Sequence, residues 1–137
     1  MSEAGNWSGV ERGAAARVLL HELVTLLERL IKEDEPSHID LRSMELGLDD
    51  RALLQQTLGE GEITAEVENF GHVLVRESGY AGIWWVTHTD DSGQVISEFI
   101  EVSYCPEVLI AEVETVADGY NALRAHLFEM GMSHRNG

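Results

Sequence analysis

The sequence predicts an α+β protein, in which an antiparallel four-stranded meander sheet has N-terminal, middle and C-terminal helices packed on it. Two observations predict the sheet. β-Branched and aromatic residues dominate 83–89 and 94–102, and a short turn containing Ser92-Gly93 separates the two runs. A third observation predicts the helices, because apolar residues recur at intervals of three and four before and after the strand-rich region.

The first helix is predicted from Gly13 to the acidic segment that precedes Pro36. Polar and charged residues such as Glu22 and Glu28 lie on one side of this repeat, and leucines lie on the other. Pro36 cannot continue a helix, so the helix is expected to end before it. The apolar positions are Leu19, Leu20, Leu23, Leu26, Leu27, Leu30 and Ile31.

Residues 39–41 are compatible with a short strand, which the four-stranded meander does not include. Asp49 or Asp50 is then the expected N-cap of a second helix over Arg51–Leu58, and Gly59 lies at its C-terminal end. The meander starts with alternating apolar and polar residues over 63–68, which predict a strand with one solvated face. A turn over 69–71 and a strand over 73–77 follow.

The central hairpin has a predicted register in which Asp90 is opposite Gln94. Because side chains alternate between the faces of a sheet, this register defines two sets of residues. One face would carry Trp84, Val86, His88, Ile96, Glu98, Ile100 and Val102. The other would carry Ile83, Trp85, Thr87, Val95, Phe99 and Glu101.

After Pro106, residues 107–112 are compatible with a helical turn, and Val116, Tyr120, Leu123, Leu127 and Met130 predict a last amphipathic helix. The resulting organisation is a flexible arm over 1–12, a single α+β domain over 13–130 and a tail over 131–137. No internal repeat or low-complexity tract divides the chain.

The chain is strongly acidic, with 25 acidic and 9 basic side chains and a formal net charge of −16. Such a surface repels phosphate backbones and anionic lipids, so no nucleic-acid partner is predicted. No membrane insertion is predicted either, because no apolar run approaches the ~20 residues that span a bilayer. The charge either keeps the protein soluble or offers an acidic surface to a basic partner. The N-terminus does not have the pattern of a secretory signal, and the single Cys105 fits a reducing compartment, so a cytoplasmic protein is expected.

Metal and nucleophile motifs are weak in this sequence. It contains no Cys-x-x-Cys, His-Glu-x-x-His, Gly-x-Ser-x-Gly or phosphate-binding glycine motif. Accordingly, neither a catalytic residue nor a cofactor is predicted. A weak alternative is a metal or iron–sulfur site, which would need strand pairing to bring four ligands together: His72, Glu77, His88 and Cys105.

Glu98 and the two tryptophans carry the remaining hypotheses. In the predicted register Glu98 shares a face with Trp84, so desolvation could turn it into an acid/base group of a small enzyme, or it could pair with Arg76. Trp84 and Trp85 point to opposite faces. If helices cover only one face, an apolar strip of Ile83, Trp85 and Phe99 is left for a protein partner.

Several short segments, in this order and spacing, resemble the C-terminal conserved region of the HupH/HyaF hydrogenase-expression proteins over about residues 23–125. The resemblance rests on six segments: Ile39-Asp40-Leu41-Arg42-Ser43, Gly59 to Ala65, Val75-Arg76-Glu77-Ser78, Gly82 to Val86, Phe99-Ile100-Glu101-Val102 and Pro106 to Leu109.

The resemblance implies a non-enzymatic assembly chaperone of [NiFe]-hydrogenase maturation. Its partners would be the iron–sulfur small-subunit precursor, a thioredoxin-like co-chaperone or both. Metal or iron–sulfur handling in the same pathway is the alternative, and the sequence leaves open whether two copies form a homodimer through the hairpin face. The family pattern and the aromatic strip together give these partner-binding candidates: Glu60, Glu62, Glu77, Gly82, Trp84, Trp85, Phe99, Glu101 and Pro106. Gly61 also belongs to the pattern.

Overall fold

The computed structural model describes residues 12–68 and 71–136. The predicted arm over 1–12 therefore lies almost entirely outside the described residues. The chain divides into two compact units, one ending at Pro106 and the other starting at Glu107. In chain order the elements are α1 (Ala14–Glu33), β1 (Ser37–Asp40), α2 (Leu48–Leu58), β2 (Thr64–Glu68), β3 (His72–Glu77), β4 (Ile83–Thr89), β5 (Val95–Val102), a 3-10 turn (Glu107–Leu109) and α3 (Val113–Asn136).

Helix α1 follows the predicted leucine repeat. Its buried face carries Leu19, Leu23, Leu26 and Leu30, one or two per helical turn. The helix ends where Asp34 adopts a left-handed conformation and donates its N–H to the Leu30 carbonyl. This end lies two residues before Pro36, as the sequence predicts.

Helix α2 starts three residues earlier than predicted, because Asp50 is not its N-cap. The N-cap is Gly47, and the Asp50 carboxylate accepts the Gly47 N–H at 3.1 Å from the third position of the helix. The same carboxylate accepts the Ala16 N–H of α1 at 3.1 Å, and Asp50 is buried. One side chain therefore caps the N-termini of two helices.

The sheet is antiparallel and has five strands in the order β1-β5-β4-β3-β2. The α+β class and the meander from β2 to β5 are confirmed. The predicted strand count of four was wrong because β1 joins the sheet through β5, with Ile39 opposite Ile100. The residues that pair here are more than 50 positions apart in the chain, so the local pattern at 39–41 gives little sign of the pairing.

The predicted hairpin register was wrong by one residue. Asp90 does donate its N–H to the Gln94 carbonyl, as expected. Beyond that point, Thr89 pairs with Val95 but His88 pairs with Ser97, so Ile96 is an extra residue in β5. A β-bulge of this kind moves the rest of a strand to the opposite face.

The main core lies between one sheet face and the helices α1 and α2. Ile83, Ile100 and Val102 contribute the sheet side, Leu54 and Leu58 contribute α2, and the leucines of α1 complete the cluster. The opposite face also carries buried residues, namely Val73, Val75, Trp84 and Val86. Each sheet face therefore buries apolar side chains.

The second unit contains the 3-10 turn and helix α3. The turn falls within the predicted helical segment 107–112. Helix α3 continues to Asn136, past Gly131, where the sequence pattern predicted a tail. A glycine inside a helix costs only about 1 kcal/mol relative to alanine, so it does not stop a long helix. Among the described residues, no helix is both long and apolar enough to cross a membrane.

Candidate functional site

A pocket of about 230 Å³ opens in the first unit between the end of α2 and the sheet. Its floor is apolar and includes Leu58, Ile83 and Ile100, while polar side chains are gathered around it. This combination is typical of sites that hold a small ligand or an anchoring side chain. The complete lining is Gln55, Leu58, Gly59, Glu60, Arg76, Glu77, Ser78, Ile83, Trp84, Trp85 and Ile100.

One wall of the pocket is the loop that follows α2. The Gly61 N–H donates to the Glu77 carbonyl at 2.7 Å, and the Glu62 N–H donates to the Glu77 carboxylate at 3.1 Å. The Gly79 N–H in turn donates to the Leu58 carbonyl at 2.7 Å. These bonds hold the loop against the end of β3 and satisfy backbone groups that would otherwise lack partners.

Gly61 is required by this close approach. A Cβ atom at this position would lie 2.5 Å from both the Glu77 Oε1 and the Ser78 carbonyl oxygen. Real Cβ atoms do not come this close to other atoms, so any side chain would force the loop away from β3. The glycine therefore sets the position of the pocket wall.

The pocket edge carries two opposite charges. Arg76 Nη1 lies 3.5 Å from Glu60 Oε1, and both side chains are largely exposed. An exposed pair at this distance contributes little to stability. Both groups are thus accessible to polar groups of a bound molecule.

The Glu98 carboxylate is buried, and both of its oxygens accept hydrogen bonds. Arg51 Nη2 is 2.6 Å from each of its oxygens, and the Trp85 indole N–H donates to Oε2 at 2.9 Å. The Arg51 guanidinium also lies 5.8 Å from the centroid of the Trp85 ring. Neither a face shared with Trp84 nor the predicted pair with Arg76 is found, because the bulge turns Glu98 toward α2.

The desolvated acid/base hypothesis for Glu98 therefore loses its geometric basis. A general base must be able to reach the proton that it takes from a substrate. Glu98 is buried, its oxygens are occupied by Arg51 and Trp85, and it is not among the residues that line the pocket.

The predicted partner-binding residues separate into three groups. Glu60, Glu77 and Trp85 line the pocket together with Trp84, and Glu62 is held in its wall. Glu101 and Pro106 are buried away from the pocket, and Trp84 is also buried apart from its contact with the pocket lining. Gly82 has φ +93° and packs near Leu27 of α1.

The predicted apolar strip of Ile83, Trp85 and Phe99 was wrong, because the bulge places Phe99 on the other sheet face. There Phe99 makes an edge-to-face contact with His38, at 5.7 Å between ring centroids. Trp85 is half-buried against the main core, and the Trp84 indole N–H donates to the Ser103 carbonyl at 3.0 Å. Internal contacts therefore account for both indoles.

The four residues of the metal alternative are not brought together. His72 is opposite Thr89, and His88 is opposite Val73, which puts the two histidines on different sheet faces. Glu77 lies four pairs from His88 along the same ladder, and Cys105 is exposed beyond the end of β5. Within residues 12–68 and 71–136, no group of three or more His, Cys, Asp or Glu residues could hold a metal ion.

Two important residues, Arg51 and Gln55, were missed by the sequence analysis. Arg51 pairs with a residue 47 positions away, and Gln55 faces the pocket from an exposed position on α2. The position of Arg51 at the predicted start of a helix gave no sign of its partner. The only available signal for the ion pair was that Arg51, in a predicted helix, and Glu98, in a predicted strand, carry opposite charges.

The sequence was compared with family models and with curated proteins. A model described as HupH hydrogenase expression protein, C-terminal conserved region, matches residues 14–130. The hydrogenase expression/formation protein HupQ of Azotobacter chroococcum is 36% identical over 91 residues, which are 63% of this chain and 32% of that protein. HupH of Rhizobium leguminosarum is 38% identical over 80 residues, 57% of this chain and 27% of that protein. This chain thus spans about a third of the length of these relatives.

Comparison with solved structures agrees with the sequence matches. The hydrogenase expression protein HupH from Thiobacillus denitrificans has a TM-score of 0.79 and 31% sequence identity to this chain. The similarity covers 84% of this chain and 96% of that one. The two proteins therefore share both the fold and a recognisable sequence.

Proposed function

Because this chain belongs to the HupH hydrogenase expression protein family, in its C-terminal conserved region, we propose that it assists hydrogenase maturation by binding an immature subunit. It would act as an accessory protein and not as an enzyme. The names of its relatives support this proposal, since they are called hydrogenase expression/formation proteins. The proposed client is the iron–sulfur small-subunit precursor, with a thioredoxin-like protein as a second partner, in the cytoplasm.

The observation that carries the proposal is the position of the family pattern at the pocket. The arrangement of Glu60, Gly61 and Glu77 does not suggest a reaction. These residues instead form the wall and the edge of the pocket, where backbone and carboxylate hydrogen bonds hold the wall in place. A pattern that shapes a pocket without supplying a nucleophile or an acid/base pair suits binding better than catalysis.

The pocket is suited to an apolar anchor of the client. The whole pocket has a volume of about 230 Å³, which can hold a large aliphatic or aromatic side chain, and the buried Leu58, Ile83 and Ile100 make part of its lining apolar. Arg76 and Glu60 at the edge can bind the polar backbone groups on either side of that anchor. In this proposal the client contacts the pocket, and the buried Trp84 only supports the sheet beneath it.

The test is co-purification with a tagged small-subunit precursor, using a variant that blocks the pocket from outside. Gln55 lines the pocket but is exposed on α2, so Gln55→Trp fills the opening without disturbing the core. Gln56→Trp is the matched control, since Gln56 is the exposed next residue and does not line the pocket.

We expect Gln55→Trp to weaken precursor binding at least about tenfold, as loss of a central anchor does, and Gln56→Trp to bind normally. Equal binding by the two variants would reject the pocket as the client site. Failure of the unmodified protein to bind the precursor at all would reject the proposed client.

A further inference from the structure

Strand β2 pairs on one side only. The sheet order places it beside β3 and at the end of the sheet. Glu77 donates its N–H to the Ile63 carbonyl, so alternate residues from Ile63 onward direct their backbone groups toward β3. The backbone groups of Thr64, Glu66 and Glu68 therefore point away from the sheet, and all three residues are exposed. Over residues 12–68 and 71–136, no strand pairs with these outward groups, which are called the β2 edge below.

The opposite end of the sheet is protected against further pairing. β1 has only four residues, and the turn that follows it folds back onto the last of them. The Ser43 hydroxyl donates to the Asp40 carbonyl at 3.0 Å, and the Arg42 N–H donates to the Asp40 carboxylate at 2.9 Å. Short strands with occupied ends are one way in which proteins prevent pairing at a sheet edge. β2 has neither a proline nor a bulge, so the β2 edge can accept another strand.

Exposed glutamates line the β2 edge and the loop before it, namely Glu60, Glu62, Glu66 and Glu68. Two of them already have partners on β3, since Glu60 lies 3.5 Å from Arg76 and Glu68 lies 2.9 Å from His72. Glu66, at the centre of the strand, has no ion-pair partner among the described residues. An opposite charge directly across from Glu66 would stabilise an added strand, and a like charge would destabilise it.

We propose that the β2 edge binds an extended basic segment of a partner protein, which adds one more strand to the sheet. Main-chain hydrogen bonds to the β2 edge hold the segment, and lysines or arginines at alternate positions face the carboxylates. The inference does not rest on the proposed function, because it requires neither the pocket nor a hydrogenase subunit.

The charges select this occupant over others. A second copy of the chain is disfavoured, because pairing two β2 edges brings the glutamates of one copy against those of the other. The second unit, over its described residues, consists of a 3-10 turn and a helix, and therefore has no strand to add. An acidic partner would be repelled by the same carboxylates.

Hydrogen exchange followed by NMR tests the β2 edge, with a peptide in which lysine alternates with valine as the probe. In the free protein the Glu66 amide should exchange quickly, whereas the Ala65 and Val67 amides, which face β3, should be protected. The peptide should then slow exchange at Glu66. Protection of Glu66 before the peptide is added would mean that the edge is already covered, and would overturn the proposal. Exchange at Glu66 that the peptide leaves unchanged would overturn it equally.

A second peptide separates strand addition from attraction between charges. With proline in place of each valine, the peptide keeps its charge but loses alternate N–H groups and cannot pair as a strand. It should bind at least about tenfold more weakly than the lysine–valine peptide. Equal binding of the two peptides would show that charge alone accounts for the interaction.

A charge reversal locates the contact on the protein. Glu66→Lys should weaken binding of the lysine–valine peptide roughly three- to tenfold, and should strengthen binding of a peptide in which glutamate alternates with valine. Glu45→Lys changes the charge by the same amount at an exposed position before α2, and should leave both affinities nearly unchanged. Equal effects of the two variants would contradict the assignment to the β2 edge.

Discussion

The buried carboxylate of Glu98 shows how single contacts hold the pocket region together. Arg51 and Trp85 supply its hydrogen-bond donors, so the indole that lines the pocket is fixed by a charge on the neighbouring strand. The same contact joins α2 to β5. Glu98 and Arg51 therefore position the Trp85 indole at the pocket.

Arg51→Ala is expected to lower the free energy of unfolding by roughly 1 to 3 kcal/mol, because it leaves the Glu98 carboxylate buried with only the indole as a donor. Glu98→Gln should cost less, since the amide oxygen still accepts from Trp85. Urea unfolding of both single variants and of the double variant measures the coupling between the two side chains. If the two effects simply added, the ion pair would contribute nothing to stability.

Gly61→Ala should also destabilise the protein, by about 1 to 3 kcal/mol, because the new Cβ would overlap Glu77 and Ser78. The loop that forms the pocket wall would have to move, so the variant should lose client binding as well. Gly119→Ala is the control for an added methyl group that meets nothing within 4 Å, and because it replaces a glycine inside α3 it should raise the stability by up to about 1 kcal/mol. A Gly61→Ala protein as stable as the control would show that the wall yields easily.

At the scale of elements, Asp50 links two helices through their N-termini. Its carboxylate accepts N–H groups from Ala16 of α1 and Gly47 of α2 and is buried between them. Asp50→Ala leaves both N–H groups without that partner and should cost roughly 2 to 4 kcal/mol in thermal or urea unfolding. The neighbouring Asp49→Ala removes an exposed pair with Arg12 at 3.4 Å and one acidic residue from the first turn of α2, and should cost about 1 kcal/mol or less. Similar losses in the two variants would refute the double cap.

The hairpin between β4 and β5 contains a turn that depends on a charged Asp90. Its side chain accepts hydrogen bonds from the Ser92 hydroxyl, the Gln94 N–H and the Ser92 N–H, and these bonds lower the pKa of Asp90 below its ordinary value of 3.8. A lowered pKa in the folded state means that the turn gains stability above the unfolded pKa. That stability is lost as the pH falls through the folded pKa.

We therefore expect the amide signals of Ser92 and Gln94 to titrate together by NMR, with a midpoint below 3.8. Asp90→Asn keeps an oxygen acceptor but should abolish this titration. Asp91→Asn changes the adjacent exposed residue and should leave it in place. A midpoint at or above the ordinary value would mean that the turn does not depend on the charge.

The same hairpin shows which parts of the fold could be predicted. Alternating β-branched and aromatic residues and the Asp-Asp-Ser-Gly turn predicted both strands and the local Asp90–Gln94 pair, because those features depend on neighbouring residues. The bulge at Ile96 depends on how the whole sheet packs and leaves no pattern of its own. One extra residue then reversed the faces of Glu98 and Phe99, and with them the predicted aromatic strip.

At the scale of the molecule, the family pattern named several residues that line the pocket, but it did not predict how they meet. The pocket combines residues of α2, the following loop and three strands, so no sequence window contains it. Glu60, Glu77 and Trp85 were named from the resemblance, whereas Arg51 and Gln55 lie outside its segments. Such a site is formed by contacts between residues that are far apart in the chain, and no short stretch of sequence reveals those contacts.

The net charge of −16 leads to a last prediction, on the response to salt. Salt weakens the exposed pairs Arg12–Asp49, Glu28–Lys32 and Glu60–Arg76, but each contributes little. Salt also screens repulsion among the many acidic residues that outnumber the basic ones, and this effect should prevail. The melting temperature should therefore rise as ionic strength goes from about 0.01 to 0.15 M, over which the Debye length falls from about 30 to about 8 Å.

A charge-reduced variant separates this effect from a general influence of salt on apolar groups. Glu45 and Glu66 are exposed, and changing both to Lys raises the formal charge by four. The variant should melt higher than the unmodified protein at low ionic strength and should gain less from added salt, because less repulsion remains to be screened. If both proteins gained equally, the stabilisation would have to come from the apolar core, whose burial does not depend on these two carboxylates.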